Sequence, residues 1–135
     1  MPEIVKKSEH SFMLTWNLVI LTVICDVTGI VALKWVINQL GEVPFNSMGK
    51  IGCYLLDFIS YPLAIGGGVL FFAAPFFFAA ALSRMEISTA YPAQVGLNLS
   101  GLVLLAVLFL GESLTVGKIA GMAFITLSIL VLYRS

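Results

Sequence analysis

Residues 62–82 read PLAIGGGVLFFAAPFFFAAAL and contain no charged side chain. A helix needs roughly 20 mostly apolar residues to cross the hydrocarbon core of a bilayer, and this stretch meets that length. Pro75 falls inside it; lipid-embedded helices tolerate an internal proline where neighbouring helices cover the freed backbone, and a bend is expected there. Working outward, three more stretches qualify: about Met13–Leu40, Ile87–Gly111 and Val116–Tyr133. The links SRME (83–86) and GESLT (111–115) are too brief for anything but antiparallel hairpins. The section GEVPFNSMGKIGCYLLDFISY (41–61) is longer, with Pro44, Gly49 and Gly52 as breakers and then an apolar stretch interrupted by Asp57. That stretch, Met48 to Tyr61, is too short to cross and is expected to form an amphipathic helix in the interface, with Asp57 toward water. The predicted fold is an all-α membrane protein, residues 1–135 forming a single four-helix transmembrane domain with an interfacial helix between the first and second spans.

Composition agrees. Of 135 residues, 60% are hydrophobic and 10% charged, with a mean hydropathy of +1.06, more apolar surface than a soluble domain of this size could hide. Net charge is zero and no basic run occurs, so neither a nucleic-acid partner nor a polybasic attraction to anionic lipid is expected. Cys25 and Cys53 show no metal-ligand spacing and read as small buried hydrophobes. The opening residues MPEIVKKSEHSF carry glutamates beside the lysines, and the apolar run after them exceeds a signal-peptide core, which reads as an uncleaved first span. An even number of spans puts both ends on one side with Lys6, Lys7, Arg84 and Arg134, against Lys34, Lys50 and Lys118 opposite. So slight a bias barely orients the chain: an N-terminus fixed by other signals and insertion in both orientations, giving an antiparallel dimer, both stay open.

Asp26 is the charge that lipid should exclude. It stands near the middle of the first span, in VICDVTG (23–29), where an ionised carboxylate costs at least about 2.5–3.5 kcal/mol. Such a side chain is expected to face protein or a water-filled cavity, which makes it a candidate proton carrier. Thr22 and Gly29, at i−4 and i+3, place a hydroxyl and an absent side chain on the same face, suited to close helix approach or to a ligand. The alternative is a carboxyl that only packs, protonated and hydrogen-bonded across a helix interface, or paired with Lys34, although about 12 Å of helical rise is too far for direct contact within an undistorted span.

In the third span Tyr91, Gln94 and Asn98 recur at spacings of three and four and share one stripe. Pro92 beside them removes a backbone donor and can turn a carbonyl to the same interior. Together they are candidates to line a cavity facing Asp26, or to make ordinary interhelical hydrogen bonds worth about 0.6 kcal/mol each. In the fourth span Gly117 and Gly121, with Ser128 a heptad further on, are small residues at intervals that let backbones meet, and they are candidate dimer contacts. No catalytic constellation emerges: His10 is in the tail, no serine or cysteine has a base near it in sequence, and IGGGV lacks a phosphate-binding lysine. An enzyme is not expected.

The segment ALSRMEISTAYPAQVGLNLSGLVLLAVLFLGESLTVGKIAGMAFITLSILVLYRS (81–135) resembles the C-terminal half of the drug/metabolite transporter superfamily in its Ser-Thr-Ala-Tyr-Pro opening of the third span, the Gly-Glu after it and the glycine-bearing last helix. Four-helix members include the small multidrug resistance proteins and the EamA-like subunits of the aminoarabinose-phosphoundecaprenol flippase. CDVTGIVALKW (25–35) is similar to the small multidrug resistance segment in which a membrane-embedded glutamate precedes a glycine by three residues and a lysine by eight; here these are Asp26, Gly29 and Lys34. Tyr91 matches that family's third-span tyrosine, and its dimer-forming small residues fall on Gly121 and Ser128. Aspartate stands in place of the glutamate, Gln94 in place of a tryptophan, and the section between spans one and two is longer. Tyr-Pro and Gly-Glu lean toward the EamA-like branch.

The resemblance implies a multi-pass protein of a bacterial inner membrane that works without a bound cofactor and draws on a proton gradient. Its expected activity is proton-coupled export of small organic cations or amines, with Asp26, Tyr91, Gln94 and Asn98 binding substrate or proton, and Phe71 and Phe72 offering aromatic faces. The alternatives are a flippase subunit for a lipid-linked, possibly aminated headgroup and a non-transport accessory membrane subunit. Transporters rock paired repeats around a midplane site, so one four-helix chain is expected to act as a homodimer, antiparallel or not, or as a heterodimer with a related chain.

Overall fold

In lipid every backbone N–H and C=O must be paired within the chain, which leaves helices as the only simple way for such a sequence to cross. The computed structural model describes residues 2–134, with side chains described for residues 9–134. Lys6 and Lys7, which enter the charge tally, lie outside the described side chains. Five helices account for nearly all of it: α1 Pro2–Leu40, α2 Met48–Ser60, α3 Pro62–Leu82, α4 Ile87–Leu110 and α5 Val116–Arg134. Four of them, α1 (over Glu9–Leu40), α3, α4 and α5, are long and apolar enough to cross a membrane. The 13 residues of α2 reach only about 20 Å; its Asp57 and Cys53 are both exposed, so Cys53 departs from the buried reading while Cys25 keeps it.

The ends of the helices follow local chemistry. α1 begins well before Met13, because no glycine or further proline interrupts residues 3–12 and Pro2 sits at the first helical position, where its missing N–H costs nothing. At 39 residues it is about 58 Å long, well beyond the roughly 30 Å hydrocarbon core. Gly41 stops it at φ +87°, with its N–H donating to the Ile37 carbonyl at 2.8 Å. Gly111 does the same for α4 one residue earlier than expected: at φ +65° it turns the chain so that the Glu112 N–H reaches the Ala106 carbonyl at 3.2 Å. α3 and α4 run unbroken through Pro75 and Pro92.

α1 is the hub, packed chiefly against α3, then against α4. Lipid removes the hydrophobic drive between helices, so close packing of small residues has to supply the attraction. α3 buries Ala64, Gly67, Ala74 and Ala81, and α4 buries Ala90, Ala93 and Gly96. The backbones of α1 and α3 nearly touch at Gly29 and Gly67: a Cβ on Gly29 would lie 2.7 Å from the Gly67 carbonyl oxygen. α5 is peripheral. Its main chain approaches α4 alone and none of its residues is buried; Ile125 and Ile129 fill the space over Gly96.

Candidate functional site

Asp26 lies midway between Met13 and Leu40 on α1, and Asn98 lies midway along α4. Asp26 is therefore about 20 Å of helix, and Asn98 about 17 Å, from either end of its span. The structure brings them together: Asn98 Nδ2 donates to Asp26 Oδ2 across the α1–α4 contact. Both side chains are half-buried. Next to them Val27 of α1 packs over Gly101 of α4, where a Cβ would stand 3.3 Å from a Val27 methyl. That close seating brings a short Asp and a short Asn within reach of each other. The Asn98 carbonyl oxygen is buried with no hydrogen-bond partner. A second acceptor thus lies buried beside the carboxylate, which is the group of the two that can take up a proton.

The neighbours expected around Asp26 divide between packing and the outer surface. Gly29 faces α3, its missing side chain filled by the Gly67 and Phe71 backbones. Thr22 is fully buried and donates to the Leu18 carbonyl at 2.8 Å, one turn back on its own helix. Both serve helix packing, so on that face neither a hydroxyl nor a gap is turned toward a ligand. Tyr91 is 56% exposed and stacks against Phe78 of α3 with ring centroids 6.3 Å apart; it shares the stripe of Asn98 two turns away, about 10 Å. Gln94 and Pro92 are half-buried on the intervening turn, and Phe71 and Phe72 are both exposed. Gly117, Gly121 and Ser128 of α5 are exposed; no atom of another helix lies within 4 Å of a Cβ built on either glycine, and Ser128 donates to the Phe124 carbonyl.

Two clefts open between α1, α4 and α5. One, of about 270 Å³, has apolar walls that include Ile30 and Leu102, with Lys34, Glu112 and Lys118 at its mouth. Ile30 and Leu102 are each one turn beyond Asp26 and Asn98, so the floor of this cleft adjoins the pair. Lys118 forms a 3.5 Å ion pair with Glu112 and donates to the Ser113 carbonyl at 3.0 Å, whereas Lys34 has no ion-pair partner among the described residues. The other cleft lies at the opposite end of the bundle and holds Arg84. Neither is lined by Asp26 itself. This distribution puts Lys34 and Lys118 at one end and Arg84 with the end of α5 at the other, as four antiparallel crossings require. Sequence reading missed Gly67 and Gly96: the run GGG does not say which glycine faces a neighbour, and Gly96 is distinguished only by the isoleucines that fold over it.

No family model matches this chain, and neither a curated protein nor a solved structure does.

Proposed function

We propose that the chain is one half of a membrane transporter whose midplane Asp26–Asn98 pair binds a proton or an amine-bearing substrate in turn. The observation that carries this reading is the juxtaposition of the mid-span carboxyl with an amide whose own oxygen is left without a partner. An acid there costs several kcal/mol unless it is used or fully paired, and a fully paired packing site would leave no orphan acceptor. With Asp26 ionised, the carboxylate and the Asn98 oxygen accept from a substrate ammonium; a proton arriving at Asp26 neutralises the site and releases it. The similarity of residues 25–35 and 81–135 to the drug/metabolite transporters supports the same class. The unpartnered small face of α5 supports a dimer in which Gly117, Gly121 and Ser128 meet a second copy or a related chain. α2 then lies in the interface, flanking the lateral opening.

A second reading draws on the Lys34 cleft, which opens sideways and whose floor reaches the pair: a lipid-linked headgroup bearing an amine would place that amine at Asp26 and its anionic group near Lys34. The test is proton release from detergent-solubilised protein on addition of organic cations across about pH 5 to 9, with Asp26→Asn as control. Release that disappears in the variant supports exchange at Asp26. Release that persists in the variant overturns it. Silence with every free cation but release with an aminated lipid selects the second reading, and silence with both leaves an accessory subunit in which Asp26 only packs.

A further inference from the structure

The cleft at the Arg84 end has a composition that the transport reading does not use. It occupies about 440 Å³ between the first turns of the membrane-crossing part of α1, the α3–α4 link and the last turn of α5. Arg84 stands in it with Ser11, Thr89 and Tyr133. Among the described residues none of these four side chains makes a hydrogen bond or an ion pair; the nearby Thr15 has already given its proton to the Ser11 carbonyl at 2.8 Å. Among the described residues no carboxylate lines the cleft. One wall is aromatic: Phe12 meets Trp16 edge-on at 6.1 Å, and Trp16 meets Tyr133 at 6.2 Å, which ties α1 to α5.

We infer that this cleft binds the headgroup of an anionic phospholipid. The Arg84 guanidinium and the three hydroxyls can all donate to one group, and a phosphate oxygen is the strongest acceptor at a bilayer surface. The position favours lipid over free phosphate. The cleft lies at the end of the apolar spans, where Trp and Tyr settle at headgroup level, and its Phe12 and Met85 walls suit the glycerol and upper acyl region rather than a hydrated ion. The cation in the cleft, Arg84, sets the class. A choline or ethanolamine ammonium finds no counter-charge there, so phosphatidylglycerol or another net-negative lipid binds better than a zwitterionic one. No run of basic residues occurs in the chain, and within the cleft the attraction comes from Arg84 among hydroxyl donors. By bridging α1 and α5, the lipid holds the otherwise peripheral α5 in place.

Trp16 reports on the site directly. In a Trp35→Phe background, so that Trp16 is the sole indole, full-length protein in mild detergent is titrated with brominated phosphatidylglycerol or brominated phosphatidylcholine. The expected result is quenching at roughly tenfold lower phosphatidylglycerol, the size of one charge-assisted hydrogen bond. That preference falls to near parity in Arg84→Gln, is partly kept in Arg84→Lys, and weakens in Tyr133→Phe. Equal quenching by both lipids, or a preference unchanged by Arg84→Gln, overturns the inference. Relief of the quenching by millimolar inorganic phosphate overturns the lipid assignment in favour of a soluble anion.

Discussion

At the scale of the residue, everything distinctive converges on Asp26 and Asn98. Their pairing across α1 and α4 gives a double-mutant cycle a defined expectation. Interhelical hydrogen bonds in membranes average about 0.6 kcal/mol and reach about 1.7. Asp26→Asn should therefore cost stability little, because an amide still accepts from Asn98, while abolishing proton exchange. Asn98→Leu should destabilise by about 1–2 kcal/mol, because it leaves the carboxyl without its donor in low dielectric. Unfolding in mixed micelles titrated with a denaturing detergent checks both. A loss of several kcal/mol in Asp26→Asn would show a carboxyl that packs rather than works. Asp26 was legible in the sequence because a charge within an apolar run needs a partner or a cavity. Its partner was legible only as one of three polar residues on a stripe, since periodicity gives a face but not the depth at which a neighbouring helix meets it.

Among the elements, the two tight glycine contacts should respond differently to the same added methyl. Gly29→Ala places a Cβ 2.7 Å from a carbonyl oxygen and 2.9 Å from a backbone nitrogen of α3. Neither atom can turn aside, so the α1–α3 seam must part, at about 1–3 kcal/mol. Gly96→Ala drives a Cβ into the Ile129 terminal methyl and comes within 2.9 Å of an Ile125 methyl. Those are side-chain atoms of a helix that packs on α4 alone, so a χ2 change at Ile129 and a small shift of α5 relieve them in part, at about 0.5–1.5 kcal/mol. The same detergent titration ranks them, and Gly96→Ala proving worse than Gly29→Ala would contradict this packing. α3 occupies the range expected of it, and α4 and α5 come within a residue of theirs, because apolar length is a direct requirement of the bilayer. The start of α1 was not legible: hydropathy marks where lipid begins, whereas a helix continues until something stops it. Nor could the pattern reveal that α1 is the hub, since α3 is apolar on all sides and the polar stripe of α4 gives a face but not the helix that meets it.

For the molecule as a whole, α5 is the least settled part when the chain stands alone. It rests on α4 through two isoleucines and touches α1 through one ring, and Gly117 and Gly121 face no other helix. If a second chain covers that face, Gly121→Leu should weaken self-association by roughly tenfold while leaving helix content unchanged. Sedimentation or energy transfer between labelled chains in detergent measures this, and association unaffected by the substitution would place the dimer contact elsewhere. The central claim is that a proton and a substrate compete at the Asp26–Asn98 pair. Reconstituted vesicles carrying a pH gradient test it most directly, by following uptake of a labelled organic amine for the wild type and for Asp26→Asn. Competition at the pair gives gradient-driven accumulation in the wild type and only passive leak in the variant; accumulation in Asp26→Asn equal to that of the wild type rules such competition out.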